Sequence, residues 1–462
     1  MYQELKKNIS ALVVANTVAT ALPLLTFPFI TRTLGPEVYG KYGFAMSVVG
    51  FVMLISSPGF TTFGVRAVAQ HPGEEKLLAS KITGIRLLFT FVAFALLGGY
   101  MLVSAQSDAE VRILVLASSL IMISNAFNLE WLLTGASKIV PVAVSNILSQ
   151  LIYTAVVLTL LRSAEMAWVV PMAAFGGAVV GLLISYYYVW RRFGVAWPSL
   201  NLGDVREIVP PSLLLGFASL MSMTYDKVDA IILGYFRPME EVGLYTATYK
   251  LMWMVMSFLS ILSTVFFPLI ARASAKDSNT DSPESELYLK FLFMAALPLI
   301  AGGILLAEPL TTFIIGKEYV GSGVLFSLLL PNVLFGGLAI YYAGMRLIAL
   351  NRNREYVVAV TIGALVNVGA NLIAIPLWGS VGAAITTCLS QAAVAGVAAW
   401  YGRQHRGPRL VTSAKVPVVA SVCMTIVLAM VIRFPGLHVL MLVMIGAGAY
   451  AVVSMAVRNR WT

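Results

Sequence analysis

The sequence predicts an all-α, polytopic membrane protein of about fourteen transmembrane helices: two six-helix bundles in parallel pseudo-repeat, with two further helices at the C-terminal end. Three observations predict it. Composition is the first, because 59% of the residues are hydrophobic and 11% charged, with a mean hydropathy of +0.87, whereas soluble domains run near 25% charged and 45–50% apolar. The second is recurrence. Apolar runs of about 20 residues, the length that crosses a bilayer as a helix, follow one another from Asn8 almost to Arg458 and leave no room for an ordinary soluble domain. The third is that these runs do not alternate as barrel strands would, which leaves helices as the spanning structure.

The first run, 9–30, comes after Lys6 and Lys7 and imitates a signal peptide, but no exported soluble domain follows it, so it reads as a first span. Charge and Pro/Gly clusters divide the remainder into 43–63, 83–104, 112–134, 141–161, 167–190, 211–235, 244–271, 288–308, 322–348, 356–376, 380–401, 416–432 and 437–457. An even number of spans puts both termini on one side. Of the 31 lysines and arginines, 22 lie at the termini and even-numbered connectors, counted with the adjoining span ends, seven at the odd-numbered connectors counted the same way, and two, Lys227 and Lys250, deeper inside spans. Positive residues stay in the cytoplasm, so both termini are expected there.

The net charge of +10 is spread over short connectors and forms no aromatic-interleaved basic patch, which excludes a nucleic-acid partner. Cys388 and Cys423 fall within apolar runs and give no disulfide or metal framework. His71, His405 and His438 lie far apart, without ligand-like spacing.

An internal repeat organises the spans. "PEVYGKYGFA" after span 1 and "MEEVGLYTAT" after span 7 both read Glu-x-x-Gly-x-Tyr, with Gly40 and Gly243 offset by 203. "RAVA" from Arg66 and "RASA" from Arg272 repeat at 206, and Gly177-Ala178 with Ser185 repeats as Gly382-Ala383 with Ser390 at 205. The implied division is residues 1–206 and 207–405 as two six-helix bundles and 406–462 as an added two-helix hairpin. Parallel repeats about the membrane normal are a recurring plan of secondary transporters, with the site at the repeat interface.

Several stretches then resemble a known family. "RTLGPEVYGKYGFA", "FGVRAVA", "LEWLLTGASKIVPV", "YDKVDAIILGYFRPMEEVGLYTATYKL" and "VNVGANLIAIPLWGSVGAAITT" are similar to the polysaccharide-transporter branch of the multidrug/oligosaccharidyl-lipid/polysaccharide exporter superfamily. These are Wzx-type flippases of undecaprenyl-diphosphate-linked oligosaccharides. The resemblance covers roughly residues 1 to 400 and implies a transporter without an ATP site; no Gly-x-x-x-x-Gly-Lys-Ser/Thr loop occurs in the chain. One departure is the count of spans, since many O-antigen flippases of this branch have twelve.

Charges inside spans cost at least about 2.5–3.5 kcal/mol each and usually face a cavity or a partner. Asp226 and Asp229 share a helix face, with Lys227 turned by about 100°. At 1.5 Å per residue Asp229 lies about 9 Å, Lys227 about 12 Å and Lys250 about 9 Å from the external end. Two readings stand. Lys227 and Lys250 meet a diphosphate in a central cavity as point charges, or they form a neutral cluster with Asp226 and Asp229 that locks span 7 to span 8. Arg32 and Arg237, at equivalent external ends, are expected to guide the diphosphate or to snorkel. Arg346 is a cavity cation or a topology anchor. Glu130 is expected to pair with Arg66 at a gate or to carry a proton. Tyr341 and Tyr342 are candidates for stacking on sugars, or for packing.

The resulting expectation is a flippase and not an enzyme, working by alternating access for O-antigen, capsule or exopolysaccharide synthesis. It needs no cofactor beyond a coupling proton or sodium ion on Asp226, Asp229 or Glu130. Its partners are the polyprenyl-diphosphate-linked oligosaccharide, membrane lipid, and a glycan polymerase with its chain-length regulator. Two alternatives are a cation-coupled multidrug exporter, whose cavity would be acidic and aromatic, and a non-transporting scaffold for glycan assembly.

Overall fold

A computed structural model describes residues 2–104, 108–194, 197–276, 282–402, 410–434 and 436–461. The described residues are mostly helical, joined by short turns, with no strand among them. In chain order the helices are α1 (Tyr2–Ser56), α2 (Phe60–Gln70), α3 (Glu75–Val103), α4 (Ala109–Phe127), α5 (Glu130–Gly135), α6 (Ile139–Leu160), α7 (Val169–Phe193) and α8 (Leu202–Phe236). There follow α9 (Met239–Lys276), α10 (Pro283–Leu305), α11 (Ala307–Ile314), α12 (Ser322–Leu329), α13 (Pro331–Ala339), a π-helix (Ile340–Leu347), α14 (Asn353–Gly402), α15 (Leu410–Val431) and α16 (Val439–Trp461).

Among the described residues ten helices are long and apolar enough to cross a membrane, or up to eleven if the bent pair Met239–Ser257 and Ile261–Ser274 is one span. That count does not establish the expected fourteen. It treats Leu22–Gln70 and Asn353–Gly402, of 49 and 50 residues, as single spans, although about 75 Å of helix is more than twice the roughly 30 Å hydrocarbon core. Each of the two has an internal break. Gly35 (φ 70°, ψ 170°) turns α1 just before Pro36, and Gly379 (φ 58°, ψ −135°) turns α14 just after Pro376. Positive φ is open to glycine at little cost, and proline cannot donate the next helical hydrogen bond.

Other expected boundaries also shift at identifiable residues. Span 2 ends at Ser56 rather than 63, because Pro58 and Gly59 interrupt it before α2 begins. Span 4 breaks at Asn128, whose side-chain oxygen accepts from Glu130 N at 2.9 Å and starts α5. Span 10 is interrupted at Pro331, and the thiol of Cys388 donates to the nearby Leu328 carbonyl at 3.2 Å.

The chain forms two compact units, 1–234 with 238–243, and 235–237 with 244–462. In the first, α6 packs on α7 and α1, and α1 also meets α3 and α4. In the second, α15 packs on α10 and α16, and α14 on α12, α13 and the π-helix. The repeat draws its line at 206 and packing draws it one helix later. The reason lies in contacts of α8 with α1 and its extension, described next.

Candidate functional site

In the first unit, α8 and the second segment of α1 run antiparallel and touch at successive levels. A Cβ on Gly234 would overlap the Phe44 ring, and one on Gly216 would lie 2.7 Å from Gly59 N. Between these levels the stem of Lys227 crosses Gly50, whose Cβ would meet Lys227 Cε at 3.1 Å. The small residues set the close approach, and Gly50 leaves space for a long side chain. Lys227 and Gly234 are seven residues apart, two helical turns, so they share the face that packs on α1.

Lys227 is half-buried on this middle level. No ion pair of Lys227 occurs among the described residues. Asp229, two residues further on and turned by about 200° from Lys227, is 1% exposed and engaged with its surroundings. The Asp226 side chain lies outside the described residues, so the cluster expected around the two lysines is described only in part.

Lys250 belongs to the second unit. It is exposed, and its Nζ stands 5.0 Å from the ring centroid of Trp253, a cation–π contact. Arg237, also in this unit, donates from Nη2 to the Pro376 carbonyl at 2.9 Å. The break at Gly379 frees carbonyls at the end of the preceding helix, and a guanidinium is suited to satisfy them. Arg32 is exposed on the first segment of α1.

The pairing of Glu130 with Arg66 is corrected by the geometry. Ser145 Oγ lies 2.7 Å from Glu130 Oε1 and donates to it, while Arg66 is exposed on α2 and pairs with no carboxylate among the described residues. Close packing explains the preference: Gly177 and Gly181 admit the Ser149 carbonyl and the Ser145 hydroxyl of α6 against α7, which aims Ser145 toward α5.

A cation missed in the sequence occupies the same end of this unit. Arg86 is 2% exposed and donates to the Asn128 carbonyl (2.8 Å), Thr61 Oγ1 (2.8 Å) and Ser57 Oγ (3.1 Å). It thus ties α3 to the breaks that precede α2 and α5. Its position as the fourth residue of span 3 was the available signal, masked by its use as a topology charge. Arg86→Met is expected to cost about 3 kcal/mol or more, because a buried carbonyl and two hydroxyls lose their donor; thermal unfolding in detergent measures it.

A second missed cluster lies at the start of α4. Lys41 Nζ reaches Glu110 Oε2 (2.8 Å), Asp108 Oδ2 (2.9 Å) and Glu37 Oε1 (3.3 Å), and Asp108 Oδ1 caps α4 through Glu110 N at 2.9 Å. The Lys41 hydrogen bond holds the Asp108 carboxyl below its ordinary range. A depressed carboxylate contributes stability above its unfolded pKa, near 3.9, and loses it as pH falls through the folded value. The unfolding temperature is therefore expected to be flat from neutral pH to about 5 and to fall below about 4, with Asp108→Asn reducing the slope.

In the second unit, Arg346 is 6% exposed on the π-helix, with Nη1 3.4 Å from Tyr341 Oη. Tyr341 is fully buried and stacks on Tyr288 at 5.5 Å, and Tyr342 packs edge-on against it at 4.8 Å. Both tyrosines therefore pack rather than present open faces. Beside them α14 folds its polar residues inward: Thr386 donates to Asn371 Oδ1, Tyr245 and Thr387 hydroxyls share a bond at 3.1 Å, and Asn367 is fully buried with neither amide atom partnered among the described residues. Among the described residues no group of three His, Cys, Asp or Glu could hold a metal; Asn and Thr oxygens are the polar donors here. An apolar isostere removes an unpaired amide at little cost, so Asn367→Leu is expected to leave the unfolding temperature unchanged or raised. A fall would reveal a bound ion or water.

The sequence profile described as "Polysaccharide biosynthesis protein" matches residues 5–274, more than half of the chain. The chain belongs to this family. A protein of Escherichia coli (strain K12), provisionally named an O-antigen transporter, is 20% identical over 87% of this chain and 97% of its own length. Agl15 of Haloferax volcanii, provisionally named a low-salt glycan biosynthesis flippase, is 21% identical over 84% of this chain and 81% of its own. Among solved structures, the lipid II flippase MurJ in an inward closed conformation superposes with a TM-score of 0.81 at 15% identity, covering 97% of this chain and 99% of that one. The polysaccharide-transporter resemblance of the sequence is thereby upheld, and the fold is that of a multi-pass transporter.

Proposed function

We propose that this family member is a flippase that carries a polyprenyl-diphosphate-linked oligosaccharide from the cytoplasmic to the periplasmic leaflet by alternating access, in O-antigen, capsule or exopolysaccharide synthesis. The observation that carries the reading is Lys227. A half-buried ammonium on the middle level of a tightly packed helix pair is costly in a membrane, and a diphosphate is the chemistry that offsets it. The names of the relatives and the shared transporter fold support the same class. No bond of the cargo is made or broken, so binding and release suffice.

The Lys/Arg census supports cytoplasmic termini, in the inner membrane of a bacterial cell. Lys250, Arg32 and Arg237 are proposed to act on the diphosphate only in passing, since Lys250 stands over Trp253 and Arg237 on backbone carbonyls. Net movement is proposed to draw on a proton or sodium gradient through Asp226, Asp229 or Glu130, with a glycan polymerase and its chain-length regulator removing the product. The test is a leaflet assay in proteoliposomes with labelled lipid-linked glycan. Movement above protein-free vesicles is expected, faster with an imposed gradient. Folded protein that moves no glycan but expels cationic dyes would replace the proposal with drug export, and protein that moves neither would leave a scaffold.

A further inference from the structure

The last turns of α7 carry an open groove that none of the residues above uses. It has a volume of about 290 Å³ and is lined by Leu129, Leu183, Tyr186, Tyr187, Trp190 and, just past the helix, Gly194. That volume is near the lower limit of roughly 300–1,000 Å³ for small-molecule sites. The wall is apolar and aromatic yet uncovered: Leu183, Tyr187 and Trp190 remain 65%, 49% and 57% exposed.

Two cations stand on its rim. The Arg191 guanidinium lies 5.8 Å from the Tyr187 ring centroid, and its Nε donates to Tyr187 Oη at 3.4 Å. From the first turn of α3, Lys76 Nζ comes within 3.9 Å of the point where a side chain on Gly194 would begin. Trp197 and Ser199 are held to α3, since Ser80 Oγ donates to the Trp197 carbonyl and Ser199 N donates to the Ser80 carbonyl at 3.1 Å. The neighbouring Glu75 turns away and accepts from Gly73 N at 3.0 Å, and Lys76 has no ion pair among the described residues.

Aromatic residues with lysine and arginine beside an apolar cleft are the surroundings of an amphiphile at the membrane boundary. Tyr and Trp rings settle at headgroup level, and basic pockets between helices take anionic headgroups. We infer that this groove binds one anionic phospholipid, with its phosphate between Lys76 and Arg191 and an acyl chain along Leu183 and Trp190. The charge of the rim selects an anion. The volume accommodates a phosphate and a length of chain, with no room for a string of sugars, which separates this lipid from the cargo. The groove lies at the α7 end that leads into an even-numbered connector, so the proposed topology places this lipid in the cytoplasmic leaflet; nothing else in the inference rests on that topology.

Native mass spectrometry of the delipidated full-length protein, offered equal amounts of phosphatidylglycerol and phosphatidylcholine, tests the inference. The protein is expected to retain phosphatidylglycerol with a preference of roughly tenfold or more, from two rim cations. The double variant Lys76→Gln/Arg191→Gln should lose the preference, and Leu183→Trp, which fills the groove, should lose the retained lipid. These residues are exposed, so the variants should elute and melt as the parent does. Unchanged preference in the double variant overturns the site. Soluble glycerol 3-phosphate competing as well as the lipid would reduce it to an anion site, and undecaprenyl diphosphate displacing phosphatidylglycerol through the same residues would make it a cargo site; either result overturns the phospholipid assignment.

Discussion

Lys227→Ala is expected to slow glycan flipping roughly ten- to hundredfold, while the protein assembles and unfolds much as the parent does. Hydrogen bonds to charged groups contribute about 1.5–3 kcal/mol, and each 1.4 kcal/mol is a factor of ten. Because Lys227 has no ion pair among the described residues, its removal breaks no salt bridge there and should not unfold the helix pair. Lys250→Ala should fall well short of this effect. Its ammonium rests on an exposed Trp253, a contact worth about 0.5–1 kcal/mol. A companion variant separates position from charge: Gly50→Val places carbon against Lys227 Cε and Cδ, which already lie 3.1 and 3.3 Å from the Cβ position, and should impair flipping with the lysine still present. Rates measured in the leaflet assay, with unfolding temperatures alongside, check all three. Equal losses in Lys227→Ala and Lys250→Ala would refute the asymmetry.

Gly40→Ala and Gly243→Ala are each expected to destabilise by about 1–3 kcal/mol, the usual cost of overpacking, and the double variant by less than the sum. The reason is a reciprocal contact. A Cβ on Gly40 would overlap the Met239 carbonyl oxygen and lie 2.8 Å from Gly243 N; one on Gly243 would overlap the Pro36 carbonyl oxygen and lie 3.0 Å from Gly40 N. Backbone faces backbone on both sides, so no flexible side chain can yield. Once either alanine has parted the segments, the second finds room. Chemical or thermal denaturation of the two singles and the double measures the coupling, and strictly additive losses would show that the glycines do not share one contact.

The fold class was legible because hydrophobic length is a bulk property, carried by hundreds of residues, and the Glu-x-x-Gly-x-Tyr motif marked two glycines that meet. The sites were less so. Composition shows that Lys227 and Asp229 are anomalous, but not that one is half-exposed and the other buried, which depends on Gly50 and the packing face of α8. Arg86 shows the opposite error. A positive residue near a span end reads as a topology signal, yet Ser57 and Thr61 at the start of α2 and Asn128, some seventy residues later, gather around it. Glu130 was assigned Arg66 on charge, whereas the close approach of α6 and α7 through Gly177 and Gly181 delivers Ser145 instead.

The reciprocity of Gly40 and Gly243 has an evolutionary implication. Pro36 and Gly40 correspond to Met239 and Gly243 at the repeat offset of 203, so each motif presents to the other the same atoms that it receives. That is the signature of an isologous contact about a local two-fold axis, the kind made by identical subunits. A single copy of the motif on a half-length ancestor could have made this contact by homodimerisation, before fusion placed both copies on one chain. With both copies on one chain the flanking positions need not match: Lys41, which gathers three carboxylates, corresponds to Leu244 in the second copy.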